Sequence, residues 1–166
     1  MVKEKNAIKH KFEPVINKNS KMLILGSFPS LKSREEDFFY MHPQNRFWLV
    51  LSRLFNDLAF LSKDIDLKTK TLEKHHIALY DVIESCNIKN SADASITNVK
   101  PTNVKELIKD TNILHIFLNG RKAYNIFKKY NPELKSIAKY LPSTSPANAK
   151  YRLEDLLNHW QVITKL

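Results

Sequence analysis

The sequence predicts an α/β protein whose short, mainly parallel central sheet is covered by helices on both faces. Two observations carry this. Brief apolar runs alternate with stretches whose apolar residues recur every three or four positions. Such alternation of strands with helices implies a parallel sheet buried on both sides. The runs also stop at glycine, proline or polar loops, the usual punctuation of a strand end.

In chain order, Met22 to Leu25 in KMLILGSFP is a short apolar strand halted by Gly26 and Pro29. Residues 45–58 read as a helix, because Phe47, Val50, Leu51, Leu54, Phe55 and Leu58 share one face. Residues 67–76 look helical. IALYDVI (77–83) is a buried strand or strand end. Thr102 or Asn103 in PTNVKELIKD offers helix-start chemistry. ILHIFLNG (113–120) is the second strong strand, closed by the other of the chain's two glycines. Residues 121–130 form a helix, KYLPSTSP is a short strand entering a polar loop, and YRLEDLLNHWQVI (151–163) is an amphipathic helix.

Composition narrows the class. The 166 residues suit one domain, residues 1–166, with a basic segment at 1–20 inside it. Apolar content of 43% with 27% charged residues reads as globular. No apolar run approaches the roughly 18 residues of a membrane span, and MVKEKNAIKHKF lacks the apolar stretch of a secretory signal. A single cysteine, Cys86, excludes an internal disulfide and a cysteine-ligated cluster or structural zinc, and suggests a cytoplasmic protein. The formal charge is +10. The excess concentrates at 1–21, with six Lys against two Glu, and at 128–152, with five Lys and one Arg against one Glu. Such a balance fits a polyanionic partner, nucleic acid first, or a Lys-rich solvated surface without one.

In a parallel sheet the site lies beyond the carboxyl ends of the strands. Loops 26–30, 119–120 and 142–148 fall there, and HPQN (42–45) follows the first. In GSFPS, Gly26, Ser27 and Pro29 shape a turn that either thrusts Phe28 out as a stacking platform for a flat ring or folds it back on the core. His42 is a titrating group or a turn residue. Asn45 caps the following helix or faces a site. Asn119 closes its strand as an Asx turn or presents an amide to the lactam edge of a base, since it offers one acceptor and two donors. LPSTSPANAKYR (141–152) is either an ordinary connection or a rigid loop that grips phosphates, with Lys150 and Arg152 extending the contact. His75 and His76 point apart, Asp81 and Asp93 are buried acids or, more commonly for such residues, capping and turn residues, and Cys86 is a small core residue. The chain has no P-loop, Rossmann fingerprint, HExxH or Ser-His-Asp arrangement.

The ordered set LILGSFPS, FFYMHPQNRFW, IALYDVIESC, ASITNVKPTN, IFLNGRKAYNIF and LPSTSPANA resembles the uracil-DNA glycosylase superfamily, and within it the DNA-deoxyinosine (hypoxanthine-DNA) glycosylase branch. The resemblance spans about residues 20–163. It implies a three-layer α/β/α sandwich. It implies excision of deaminated bases, chiefly hypoxanthine and also xanthine or uracil, from double-stranded DNA, by a monomer without metal or cofactor. A mismatch-directed uracil glycosylase and a non-catalytic DNA-binding module are the competing readings. The resemblance makes Asn45 of HPxNRFW the catalytic amide and Asn119 the base reader. Phe28 stands where most branches carry a catalytic Asp or Asn, and STSPAN lacks the usual His of the last loop, which weakens the case for uracil.

On that basis Asn45 would orient the attacking water through its carbonyl oxygen. Gly26, Ser27, Phe28, Pro29, His42, Phe47 and Asn119 would bind the base. Ser30, Ser143, Thr144, Ser145, Pro146, Ala147, Asn148, Lys150 and Arg152 would contact DNA.

Overall fold

Strand β2 (Met22–Gly26) is buried at every residue, and its side chains alternate between two separate apolar clusters. Met22 and Ile24 face one cluster, Leu23 and Leu25 the other. This is the period-two signature of a strand covered on both faces. The structure, a computed structural model, describes residues 7–166; of the basic amino-terminal stretch, residues 1–6 lie outside the described residues.

β2 sits in a four-stranded sheet of order β3-β2-β6-β7, with β3 (Ile77–Asp81), β6 (His115–Asn119) and β7 (Ala138–Leu141). Every pairing in it is parallel. Helices α2 (Phe47–Leu54), α3 (Ile65–Lys74) and α6 (Leu153–Trp160) bury Phe47, Trp48, Val50, Leu51, Leu72, Leu156 and Trp160 on one face. On the other face α4 (Val104–Ile108) and α5 (Arg121–Tyr130) bury Val104, Ala123, Ile126 and Phe127. The predicted three-layer sandwich is therefore present. Each large side chain taken fully from water contributes about 1.5–3 kcal/mol. No helix among the described residues is long and apolar enough to cross a membrane.

Local departures have local causes. IALYDVI splits at Val82: β3 stays in the main sheet, while β4 (Ile83–Asn87) joins an antiparallel sheet of order β1-β4-β5 with β1 (Ile8–Lys9) and β5 (Thr97–Pro101). That second sheet escapes sequence reading because β4 and β5 are short, half-exposed and rich in polar residues. The predicted 45–58 helix stops at Leu54, because Asn56 adopts a left-handed φ of 49°. A short helix α1 (Leu31–Glu36), capped by Ser30 Oγ on Ser33 N at 3.1 Å, was not expected from periodicity.

Asp57 caps the 3₁₀ turn Leu58–Leu61 and takes His75 Nε2 at 2.9 Å and Lys74 Nζ at 3.0 Å on one oxygen. His75 first and Lys74 second hold its carboxyl down at about 2. A carboxylate whose folded value lies below its unfolded one stabilises above the unfolded value and loses that contribution on acidification. Asp57→Asn should therefore lower the thermal midpoint at neutral pH. The gap from wild type should close between about pH 4 and pH 2. Melting curves across that range check it.

Candidate active site

The carboxyl ends of β2, β3 and β6 open into a cavity of about 290 Å³, lined by the 26–30 turn, HPQN and the loop after β7. The loops named from sequence thus converge in space. Gly26, Ser27, Phe28, Pro29, Ser30, His42, Asn45, Asn119, Ser143, Thr144, Ser145, Pro146 and Ala147 all line it.

The hydrogen bonds inside it fix the orientation of both amides. Phe47 N–H donates to Asn45 Oδ1 at 2.9 Å, which fixes that atom as oxygen. Thr144 N–H donates to Asn119 Oδ1 at 3.0 Å, which fixes the second amide. Asn119 Nδ2 then donates to Thr144 Oγ1 at 3.1 Å, and the single proton of that hydroxyl goes to Asn45 Oδ1 at 2.9 Å. Thr144 is fully buried, so this relay is dry at its centre. The two amides were legible in the sequence; the threonine joining them was not. Among STSP, spacing does not say which hydroxyl turns inward.

The relay changes what Asn45 can do. A carbonyl oxygen has two lone pairs, and both are engaged by protein. Water cannot be held there as the sequence reading supposed. Asn45 Nδ2 has no protein partner among the described residues, so the amide offers donors to the cavity. The expected helix cap is also real in part, since Asn45 takes the first helical N–H although Arg46 occupies the cap position.

Several other assignments move. Phe28 folds back on the core at 7% exposure, edge-on to His10, because the apolar pocket beside Cys86 and Ile96 takes the ring. Phe47 is fully buried and stacks under Tyr40 at 4.0 Å, so it supports the floor without lining the cavity. Thr144 is fully buried and sits in the relay. Asn148 turns inward to Ser143 O at 2.9 Å and, with Lys150 and Arg152, lies outside the cavity lining. Arg152 and Lys150 are exposed, and Arg152 N–H is taken by Asp155 at the start of α6. His42 is a turn residue at the rim, its Nδ1 accepting from Gln44 N–H at 3.1 Å.

Sequence reading also passed over residues that shape the site. Arg46 holds the last loop by its carbonyls, reaching Ser145 O at 3.0 Å, Asn148 O at 3.2 Å and Tyr151 O. Trp160 Nε1 donates to Pro142 O at 2.9 Å and anchors the start of the same loop. Tyr40, Asp81 and Asp93 also line the cavity. Burial first, and the Asp81 charge second, hold the Tyr40 phenol above its ordinary range. Burial pushes the Asp93 carboxyl up, against the hydrogen bond it receives from Ser27 Oγ at 3.0 Å. No group of three or more His, Cys, Asp or Glu among the described residues is placed to hold a metal.

The family model of the uracil DNA glycosylase superfamily matches residues 13–164. The chain belongs to that superfamily. Among its curated relatives is a hypoxanthine DNA glycosylase of Methanosarcina acetivorans, 30% identical over 166 residues, covering 94% of this chain and 98% of the relative. A hypoxanthine DNA glycosylase of Methanosarcina barkeri is 30% identical over 147 residues, 86% of this chain and 89% of the relative. A solution NMR structure from Methanosarcina acetivorans, described as a proposed uracil DNA glycosylase, superposes with a TM-score of 0.75 at 28% identity, over 94% of this chain and 98% of that one. The fold that the motifs implied is thus that of the superfamily.

Proposed function

We propose that this protein is a DNA repair glycosylase that hydrolyses the N-glycosidic bond of deaminated bases in duplex DNA, chiefly hypoxanthine. The observation that carries the reading is the Asn119–Thr144–Asn45 relay at the mouth of the parallel sheet. It presents two oriented amides to a cavity near the lower end of small-ligand sites in size. The curated relatives bearing the name hypoxanthine DNA glycosylase support the same substrate.

The bond is hidden in the duplex, so the nucleotide is first flipped out at a cost of a few kcal/mol, lower for a mispaired inosine. Cleavage then builds positive charge on the sugar, in an oxocarbenium-like transition state. The Asn45 amide, fixed by Phe47 N–H and Thr144, donates from Nδ2 toward the departing base or the incoming water, and contributes by placement and polarity. Asn119 keeps one N–H, which donates to the lactam carbonyl of the base. Ser143, Ser145 and Ala147 line the cavity, and the exposed Lys150 and Arg152 that follow in the chain supply positive charge for the phosphodiester backbone. The protein acts without metal or cofactor, as a monomer in the cytoplasm.

The deciding experiment is base release from duplexes carrying deoxyinosine, deoxyxanthosine or deoxyuridine. Free hypoxanthine is the expected product; binding without release of any base would assign a non-catalytic DNA-binding role. Duplex affinity should also fall steeply as salt rises, as phosphate neutralisation by Lys and Arg requires. A flat salt titration would remove the +10 charge from the argument.

A further inference from the structure

We infer that the His10–Asp81 pair determines which bases this site releases: the free oxygen of Asp81 accepts a ring N–H of the flipped base, and its negative charge opposes bases that leave as anions. The inference rests on the deaminated-base reading above.

Asp81 ends β3, in register with Gly26 on β2. Its Oδ2 is bound by His10 Nε2 at 2.7 Å, with the two side chains 5% and 1% exposed. Its Oδ1 has no protein partner among the described residues and stands over Gly26, where a Cβ would meet it at 2.6 Å. The glycine is what leaves room for a carboxylate oxygen at the cavity floor. Tyr40 Oη occupies the same corner, 2.9 Å from that Cβ position, buried and without a hydrogen-bond partner among the described residues. His10 precedes residue 13, where the family match begins, so the clamp comes from outside the matched segment.

The charge of the pair follows from its surroundings. His10 Nδ1 is buried without a partner among the described residues, and the rings of Phe12, Phe28, Phe39 and Tyr80 surround it. A protonated ring would strand an N–H donor there. A neutral ring donating from Nε2 leaves only a lone pair, which costs less. The pair therefore carries one negative charge, on Asp81.

A carboxylate only accepts, and hypoxanthine and xanthine both offer N1–H. Uracil offers N3–H equally well, so the hydrogen bond alone does not separate them. The departure does. When the C1′–N bond breaks, its electron pair stays on the base. A purine takes a proton from solvent at N7 and leaves neutral; the sugar cation takes up water and returns a proton. Uracil has no such nitrogen and leaves as an anion, against the charge of Asp81. Guanine shares the N1–H but stays fully paired, so the cost of flipping falls on it.

Asp81→Asn keeps the shape and removes the charge. With both duplexes assayed on one preparation, the ratio of uracil to hypoxanthine kcat/KM is expected to rise at least tenfold. That ratio does not depend on the folded fraction, and an unchanged ratio overturns the inference. If Asp81→Asn does not fold, His10→Ala and His10→Gln decide. Hypoxanthine release should fall at least fivefold in the first and recover in the second, whose amide can still reach Asp81; equal behaviour of the two overturns it. A wild-type protein that releases no base at all removes the parent reading, whereas hypoxanthine release with an unmoved ratio removes this inference alone.

Discussion

Asn45→Ala is expected to lower hypoxanthine release by about 100- to 1,000-fold, the usual loss when one positioned transition-state donor is removed. Duplex affinity should stay within a few-fold, because the basic surface is untouched. Asn45→Asp gives the sharper comparison. A carboxylate can still accept from Phe47 N–H and from Thr144 Oγ1, so the loop should hold its shape. It offers no N–H donor. If Asn45 acts through Nδ2, Asp is as poor as Ala in single-turnover base release. If Asn45 acts by holding water on an oxygen, Asp retains or gains rate. Wild-type turnover in the Ala protein would remove Asn45 from the chemistry.

The second large effect belongs to Thr144. Thr144→Val keeps the volume and deletes the hydroxyl that accepts from Asn119 and donates to Asn45. One buried donor on Asn119 is stranded, at a cost of about 1–3 kcal/mol in stability. Asn45 loses one of its two restraints, and base release should fall by at least about tenfold, the rate equivalent of an ordinary hydrogen bond. Thr144→Ser restores the hydroxyl and should recover most of both losses. Melting and single-turnover cleavage on the three proteins separate the terms. A Val protein with full rate would show that the relay is structural only.

Much of the site was legible in the sequence because its signals are local. Gly26, Pro29 and Asn119 mark strand ends, and the parallel arrangement sends every strand end to one side of the sheet. Asn45 before an amphipathic helix is a turn-and-cap signal whichever function it serves. Phe28 shows where that reasoning stops. Its neighbours in sequence allow the ring to point outward or inward, and only the apolar pocket beside Cys86 and Ile96 decides for inward. The antiparallel sheet was hidden for a similar reason: β1 pairs with β4 through Ile8 and Cys86, far apart in the chain and weak in pattern.

Sequence alone determines the α/β class, the order of the main strands and helices, the strand-end position of Asn119 and the helix-start position of Asn45. Periodicity and turn chemistry act over a few residues and need no partner. Tertiary structure alone decides what those side chains can do. Thr144 lies 99 residues from Asn45 and 25 from Asn119, and His10 lies 71 residues from Asp81. Which lone pair is filled, and which N–H is left free, depends on groups brought within about 3 Å by packing. Packing fills both lone pairs of Asn45 Oδ1 and leaves its Nδ2 donors free, and it leaves Asp81 Oδ1 at the cavity floor without a protein partner among the described residues.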